Sequence, residues 1–477
     1  MELSARLPAD VADPATHPAV WSGSRVAGLL HRTPWLAGLP RDVGVLAAIA
    51  FCVALGFGIV APALPVFART FGVSALLAGA VISVFALMRL IGAPIAGGMV
   101  NRIGERSVLA AGLIIVGASS FVAGLSQSYV QLLLLRGAGG VGSAMFTVSA
   151  LALLLRTAGP HQRGRAAGAF QAGFLFGAIT GPAVGGLVVG ISIRAPFFLY
   201  AATLALATVV CLAFLRSPEN TAAQSENDAG DRAPLDPDEG RVPDQGLVPA
   251  ADPQDDHHAD KGPIPAGDEQ DDHRATLGRA LRNGGYRAAL VANLANGVVT
   301  FGIRSSLVPL FVVESLHRGP GLAGAGFLVG ALLQAIVLLP AGKLADQRGR
   351  RPAIIIGAAA TLVGMALLTA ASEQIVFLIS MGVLGVGTAF LGSAPSAVVG
   401  DVMGNHRGGT VVATYQMIAD VGAITGPLLA GLIADRAGYH WAFTPALAAS
   451  LIALAFALAM PETKLGTPSA AHPSPAS

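Results

Sequence analysis

The chain contains the same apolar hexapeptide twice. Gly-Ala-Ile-Thr-Gly-Pro occupies residues 177–182 and again residues 422–427, and each copy lies inside a long apolar stretch. The same offset of 245 positions relates Gln171 to Gln416 and the tripeptide at 140–142 to the one at 385–387. Because several matches keep one register, we infer that the chain is two copies of a single structural unit.

Composition places both copies in a membrane. Hydrophobic residues make up 53% of the 477 residues and charged residues only 12%, whereas about a quarter of a soluble domain is charged. Apolar runs close to the roughly 20 residues needed to cross a bilayer predict an all-α membrane protein with twelve spans. The predicted spans cover about 43–66, 76–98, 107–126, 130–154, 165–190, 196–215, 288–313, 321–342, 353–371, 375–399, 409–433 and 441–460.

The basic residues predict the orientation of these spans. Of the 30 lysines and arginines, we place 23 on the side that carries both termini and four on the opposite side. Since cytoplasmic loops are enriched in basic residues, we expect a multi-pass protein of the cell membrane with both termini in the cytoplasm. Acids and prolines precede any apolar run in the first 41 residues, so we expect no signal peptide.

Polar segments divide the chain into five predicted parts. These are an N-terminal cytoplasmic arm (1–41), a six-helix bundle (42–216), a cytoplasmic linker (217–286), a second six-helix bundle (287–461) and a cytoplasmic tail (462–477). The linker holds 16 of the 28 acidic residues and almost no aromatic residues, a composition that predicts disorder. Its Asp-His clusters could hold a divalent metal loosely, but nothing fixes a coordination geometry, and we interpret them as solvated linker.

Several function classes are disfavoured by composition and motifs. The net charge of +2 is too small to argue for a nucleic-acid partner, and Cys52 and Cys211 suit neither a disulfide framework nor a metal site. The glycines at 137, 139 and 142 match the spacing of a dinucleotide-binding fingerprint, but they lie in a predicted membrane helix with no preceding strand. We therefore expect no enzyme activity, no metal and no cofactor.

A polar decapeptide lies between the eighth and ninth spans. In residues 342–351 a carboxylate and several guanidiniums occupy a predicted cytoplasmic turn, where they can pair and form a latch that depends on conformation. The first copy, 97–106, departs from this pattern, because an asparagine replaces the acid and Glu105 stands where the second copy has a basic residue. The candidate gating residues are Gly97, Asn101, Arg102, Gly104, Arg106, Gly342, Asp346, Gly349, Arg350 and Arg351.

The repeated hexapeptide belongs to a longer pattern of small residues. In the fifth span the pattern is Gly177-x-x-x-Gly181-Pro182-x-x-Gly185-Gly186, and the eleventh span keeps Gly422, Gly426 and Pro427. Small residues at this spacing let helices pack backbone to backbone, and proline removes a hydrogen bond and bends the helix. We predict a hinge that also prevents leakage; glycine-rich packing alone is the alternative.

Three of the charged residues at predicted membrane depth are candidates for a functional role. Arg136 in the fourth span and Arg89, about nine residues from the end of the second span, are too costly to leave in hydrocarbon without a partner or water. Asp420 lies one to two turns into the eleventh span. Since burial favours the neutral form of a carboxyl group, Asp420 could bind and release a proton. A static pair between Asp420 and an arginine is the alternative.

From about 43 to 460 these motifs resemble the Major Facilitator Superfamily, and within it the drug:proton antiporter branch with twelve spans. Residues 342–351 look like the loop signature of that superfamily, and 177–186 look like its antiporter motif. Arg136, followed by glycines at 140 and 142, looks like a fourth-span motif, and the resemblance implies a part in proton transfer. It also implies two pseudo-symmetric six-helix bundles. The predicted cavity contacts are Met145, Phe146, Phe170, Phe174 and Asn296.

We predict a secondary active transporter that exports small amphiphilic or cationic, drug-like molecules in exchange for protons. The expected partners are the small-molecule substrate, protons and the lipid bilayer, and we expect a monomer that binds no nucleic acid. Proton coupling is assigned to Arg136, Asp420 and Arg89. Two alternatives stay open: export of a sugar, amino acid or other metabolite, and a non-transporting membrane sensor or scaffold that recruits partners through the linker.

Overall fold

The computed structural model of the protein describes residues 39–158, 162–215, 277–403 and 409–463. Within these ranges, twelve helices are long and apolar enough to cross a membrane, and no strand occurs. The prediction of an all-α protein with twelve spans is therefore confirmed. Most of the predicted N-terminal arm, the linker up to residue 276 and the tail beyond residue 463 lie outside the described residues.

Six helices form the first half and six the second, in the same order. The first half contains α1 Arg41–Val60, α2 Ala75–Ile103, α3 Glu105–Gly124, α4 Tyr129–Thr157, α5 Arg163–Ile191 and α6 Ala195–Phe214. The second half contains α7 Gly284–Ser315, α8 Gly321–Arg348, α9 Arg350–Thr369, α10 Gln374–Met403, α11 Gly409–Ala437 and α12 Trp441–Ala459. Because the number of helices is even, both ends of the described chain lie at one end of the bundle. We call it the inner end and the opposite end the outer end.

Polar residues set where several helices begin. The side chains of Ser74 and Ser128 accept hydrogen bonds from backbone N–H groups three residues later, at 3.4 and 3.3 Å, and so cap α2 and α4. The Asn283 side chain caps α7 by accepting hydrogen bonds from the backbone N–H groups of Gly285 and Tyr286, at 2.8 and 3.3 Å. Residues 277–282 immediately before it are also helical, so the last part of the predicted linker is an additional helix that leads into α7.

The two candidate gating segments are helical, whereas the sequence predicts a turn at 342–351. α2 continues through Ile103 and α8 through Arg348, and the interruption before the next helix is a single glycine in each case. Gly104 and Gly349 have φ angles of 80° and 110°, which favour glycine and end the helices. The prediction was wrong because hydropathy falls at the first charged residue, while backbone hydrogen bonding continues to the glycine.

α7 is the most irregular of the twelve helices. It changes from α to π hydrogen bonding over Gly297–Ile303 and again over Phe311–Ser315. Pro309 lies between the two π segments and cannot donate a backbone hydrogen bond, which interrupts the regular helix. π turns inside α-helices occur frequently at functional sites, so this irregularity draws attention to the side chains of α7.

Glycines set the packing of α1 against α5 and of α7 against α11. A Cβ on Gly181 would lie 2.6 Å from the carbonyl oxygen of Leu55, and a Cβ on Gly426 would lie 2.9 Å from that of Val298. Neither distance leaves room for a side chain. Small residues therefore permit backbone contact in both halves, as the repeated motif predicts.

The halves meet through α2 with α11 and through α5 with α8. A Cβ on Gly324 would lie 2.5 Å from the Cα atom of Gly186, and a Cβ on Gly79 would lie 2.8 Å from the carbonyl oxygen of Pro427. Gly79 and Gly324 are 245 positions apart. The repeated motif of each half thus packs against the equivalent glycine of the other half, and these contacts bring together the helices that carry the charged residues.

Candidate functional site

Arg89 of α2 and Asp420 of α11 form an ion pair that joins the two halves. Both residues lie well inside their helices, and their side chains are 34% and 19% exposed. Two of the three residues predicted to couple protons are thereby in contact. The alternative that pairs Asp420 with an arginine is the arrangement in the structure, and the pair lies between the two halves.

α2 and α11 stay in contact from this pair toward the outer end. The Ser83 hydroxyl donates a hydrogen bond to the Ile424 carbonyl at 2.7 Å. At the outer end, the Asp435 carboxylate accepts hydrogen bonds from the backbone N–H groups of Ala75 and Leu76, at 2.8 and 3.0 Å. A carboxylate is favourable there because it faces the positive end of the α2 dipole. These contacts hold the halves together over the outer part of both helices.

Arg136 of α4 lies close to this pair but has a different partner. It is 3% exposed, and its guanidinium carbon lies 4.4 Å from the centroid of the Phe85 ring, one turn from Arg89 on α2. Its Nε atom is buried without a hydrogen-bond partner, and among the described residues no carboxylate pairs with it. A Cβ on Gly140 would lie 3.2 Å from the backbone nitrogen of Arg89, so α4 approaches the pair closely. The aromatic ring gives Arg136 a cation–π contact in place of an acid.

Arg69 and Glu314 form a second ion pair between the halves, at the outer end. Two parallel contacts of 2.7 and 2.8 Å join them, and the Tyr439 hydroxyl donates to the same carboxylate at 2.8 Å. The hydrogen bond to Glu314 raises the pKa of Arg69, and burial raises the pKa of Tyr439, so both remain protonated donors near neutral pH. We call Arg69, Glu314 and Tyr439 the outer lock. Arg69 and Glu314 are 245 positions apart, so equivalent residues meet across the pseudo-twofold axis.

The candidate gating residues of the second half form contacts within that half. Arg350 pairs with Asp346 one turn earlier and with Asp401 of α10, whose Oδ2 atom lies 3.0 Å from its Nε atom. In the first half, Glu105 pairs with Arg156 at 3.1 Å. The offset of 245 relates Glu105 to Arg350 and Arg156 to Asp401. The same inter-helix ion pair is therefore present in both halves, with the charges exchanged.

Other gating residues tie helix ends together at the inner end. Arg106 donates to the Leu212 carbonyl at 2.5 Å, and Arg351 donates to the Leu458 carbonyl at 2.7 Å, which are nearly equivalent contacts. Glu462 accepts hydrogen bonds from the backbone N–H groups at the start of α9, at 2.7 and 3.1 Å. The first residue of the predicted tail thus caps a helix.

Two glycines of the gating segments, Gly97 and Gly342, face open space. A Cβ on either would find no heavy atom within 4 Å, and Asn101 and Arg102 are exposed. This contrasts with Gly181 of α5 and Gly426 of α11, which are in backbone contact with neighbouring helices. The described contacts therefore join the halves at the outer end and leave these parts of the gating segments accessible.

Only some of the predicted cavity residues are placed to meet a ligand. Met145 and Phe146 are 4% and 3% exposed and pack against Gly112 of α3, so they belong to the packing of the first half. Phe170 and Phe174 of α5 lie with ring centroids 6.1 Å apart, and Phe174 is 37% exposed. Asn296 of α7 accepts a hydrogen bond from Thr300 at 2.9 Å. In the described part of the chain, no group of three or more metal-ligating side chains comes together.

The sequence patterns did not indicate the outer lock or the role of Asp435. Arg69 entered the prediction only as one of four basic residues on the outer side, and Glu314 had no assigned role. One signal was present in the sequence: residues 69 and 314 carry opposite charges at equivalent positions of the two copies. No comparable signal exists for Asp435, because its equivalent is Gly190.

Comparison with known proteins identifies the family of this two-bundle protein. The sequence model of the Major Facilitator Superfamily matches residues 46–302 and 289–477. The chain belongs to this superfamily. The resemblance of the motifs to this superfamily is thereby confirmed.

Curated relatives of this member of the Major Facilitator Superfamily include two drug-resistance proteins. The quinolone resistance protein NorA of Staphylococcus aureus is 28% identical over 181 residues, which are 38% of this chain and 47% of NorA. Multidrug resistance protein 1 of Bacillus subtilis is 31% identical over 176 residues, which are 37% of this chain and 45% of the relative. The matched region spans about half the length of each relative.

Solved structures agree with the superfamily fold. A bacterial homolog of the human lysosomal transporter Spinster, in an inward-facing and unoccupied conformation, gives a TM-score of 0.66 at 15% identity and covers 90% of this chain and 97% of that chain. A D-xylose-proton symporter gives 0.64 at 17% identity and covers 89% and 98%. At these identities the likeness supports the fold of the superfamily alone.

Proposed function

We propose that the transporter exports small amphiphilic, drug-like molecules in exchange for protons by alternating access. The single observation that carries this proposal is the Arg89–Asp420 ion pair, because it joins the two halves at membrane depth and contains a carboxylate that a proton can neutralise. Two relatives named for resistance to quinolones and to multiple drugs favour a drug-like substrate over a sugar or an amino acid.

Protonation of Asp420 changes the relative stability of the two facing states. A neutral carboxyl group loses the ionic attraction to Arg89, so a proton favours the state in which α2 and α11 have separated. When the outer end closes again, Arg89 returns to Asp420 and the proton leaves on the inner side. Arg136, which stacks on the Phe85 ring one turn from Arg89, adds a further positive charge close to this pair.

When the substrate moves outward, its binding must compensate for the loss of the Arg89–Asp420 contact. A molecule that enters from the inner end shifts the equilibrium only if it binds the outward-facing state more tightly. Separation of α2 from α11 must break the outer lock and the capping of α2 by Asp435. Substrate and proton thus compete for one conformational equilibrium, which makes their movements an exchange.

The proposal includes the orientation in which the inner end is cytoplasmic. The excess of basic residues on that side supports it. In intact cells, a membrane-impermeant maleimide should label a cysteine at Arg318 and should not label one at exposed Arg102 until the membrane is opened. The reverse labelling pattern would contradict the orientation.

Reconstituted protein tests the coupling. Proteoliposomes with a pH-sensitive dye inside should show proton movement when an amphiphilic compound is added on one side, and an imposed pH gradient should drive accumulation of the compound. Asp420→Asn should exchange compound without proton movement, because its side chain cannot be charged. If a broad panel of compounds produced no flux in the unaltered protein, the export function would be wrong. If Asp420→Asn kept gradient-driven accumulation, the assignment of the coupling residue would be wrong.

A further inference from the structure

Arg304 is a half-buried arginine within α7, for which the mechanism above has no use. It follows the π-helical segment Gly297–Ile303 of α7. Its guanidinium carbon lies 5.9 Å from the centroid of the Phe327 ring of α8. Its Nε and Nη1 atoms are buried and have no hydrogen-bond partner. An arginine is always protonated, so this is a positive charge inside the second half.

The position of Arg304 corresponds to that of Arg136 in the first half. The offset of 245 relates Phe85 to Gly330 and Arg136 to Met381. In the first half the Phe85 ring stacks on Arg136. The equivalent residue in the second half, Gly330, has no side chain that could occupy the same place. A Cβ on Gly330 would lie 2.9 Å from the Met381 carbonyl oxygen and 3.9 Å from Nη1 of Arg304. Each half therefore holds one guanidinium in an equivalent location, supplied by α4 in one half and by α7 in the other.

The acids of α7 and α11 are already engaged elsewhere. Asp420 pairs with Arg89, Glu314 pairs with Arg69, and Asp435 accepts hydrogen bonds from the start of α2. Arg136 and Arg304 have aromatic neighbours but, among the described residues, no carboxylate. Buried charges without partners are costly, and in membrane spans they mark pathways for substrates or ions.

We infer that Arg304 binds an acidic group of the exported molecule, so that the preferred substrate is an amphiphilic anion or zwitterion. This inference rests on the proposed export function and changes the expected substrate class, because the sequence predicts amphiphilic or cationic compounds. A substrate with only positive charge would approach an uncompensated guanidinium. A carboxylate, sulfonate or phosphate would supply the missing acceptors and form charge-assisted hydrogen bonds.

A matched pair of dyes tests this inference. A rhodamine with a free carboxylate and the methyl ester of the same rhodamine differ in the acidic group while sharing the aromatic cation. Transport of both should be measured in proteoliposomes under an imposed pH gradient, and binding of both should be measured by fluorescence polarisation in detergent. We expect the unaltered protein to prefer the free acid in both assays.

Three variants locate the preference. Arg304→Met should lower the ratio of free-acid to ester binding by roughly tenfold, the equivalent of one charge-assisted hydrogen bond. Arg304→Lys should retain part of the preference because it keeps the charge. Arg318→Gln removes a charge from an exposed loop of the same half and should leave the ratio unchanged. Because each protein is compared with both dyes, a general loss of folded protein does not alter the ratio.

The outcomes separate this inference from the export function. Equal or stronger binding of the ester by the unaltered protein would overturn the inference even if both dyes were transported. A preference for the acid that persists in Arg304→Met would overturn the role of Arg304. Absence of transport for both dyes, with the preference intact in the binding assay, would support the anion site and count against export of these compounds.

Discussion

The exchanged ion pair at the inner end shows how single residues record the duplication. Glu105–Arg156 in the first half and Arg350–Asp401 in the second occupy equivalent positions with opposite signs. A carboxylate and a guanidinium attract each other in either order, so both arrangements tie the third helix of a half to its fourth. This explains why the first copy of the gating segment departs from the second at residue 105.

Exchanging the charges of the first-half pair tests this equivalence. We expect Glu105→Arg alone to destabilise the first half by about 0.5 kcal/mol, a small value because Arg156 is about half exposed. Adding Arg156→Asp should restore most of the loss. Thermal unfolding of the three proteins in detergent provides the measurement. A double variant less stable than the single variant would show that the positions are not interchangeable.

The Arg89–Asp420 pair makes a prediction about conformation. Arg89→Gln removes the ionic contact that joins α2 to α11. The state in which these two helices have separated should therefore become more populated. The measurement is maleimide labelling of a cysteine placed at Ser83 in a protein without native cysteines, with Arg282→Gln as a control at an exposed site. Unchanged labelling in Arg89→Gln would show that the pair does not hold the two helices together.

At the scale of helices, glycines distinguish contact surfaces from open surfaces. In α5 and α8 they allow backbone atoms of the two halves to touch, whereas a Cβ on Gly97 or Gly342 would meet no heavy atom within 4 Å. The same residue type therefore has two uses in one protein. Close contact closes the outer end, and small side chains at the inner end leave room for the gating segments to approach each other.

Alanine substitutions should separate these two uses. Gly181→Ala places a Cβ 2.6 Å from the Leu55 carbonyl oxygen and should destabilise the first half by roughly 1–3 kcal/mol, the usual cost of overpacking. Gly342→Ala meets no atom and should be neutral or slightly stabilising, because alanine favours helix more than glycine does. Unfolding temperatures of the two variants provide the comparison. An equal effect at both sites would contradict the packing described for α1 and α5.

At the scale of the whole molecule, the outer lock joins the halves where their symmetry axis passes. Arg69 and Glu314 are equivalent residues, so each half contributes one charge from the same position. Tyr439 adds a third contact from the end of α11. In the proposed alternating-access cycle the outer lock has to open, so its strength would set how much of the protein faces outward.

Weakening the lock should expose the interface between α2 and α11. In a protein without native cysteines, Ser83→Cys places a thiol at a site that is 3% exposed. Glu314→Gln should raise its labelling by an impermeant maleimide several-fold, because the outer end opens more often. The double exchange Arg69→Glu with Glu314→Arg should return labelling toward its original level. Unchanged labelling in Glu314→Gln would show that the lock does not control opening.

The sequence alone determined the twelve spans, the duplication and the candidate functional charges within the spans. Hydrophobic runs must cross the bilayer as helices, because backbone polar groups have no other partners there. A repeat in one register must give two similar bundles. The intramembrane charges at 89, 136 and 420 stood out because each is too costly to occur without a use.

Only the tertiary structure decided which of these residues meet. Asp420 pairs with Arg89 and not with Arg136, and Arg69 reaches Glu314 across 245 positions of sequence. Met145 and Phe146 pack against α3. The sequence could not show this, because hydropathy does not distinguish a cavity wall from helix packing. The residue equivalent to Arg304 in the first half is Ile59, so the repeat gave no sign of a charge at this position. Pairing between distant helices depends on their rotation and depth in the bundle, and those are set by glycine contacts and interrupted helices that no single segment reveals.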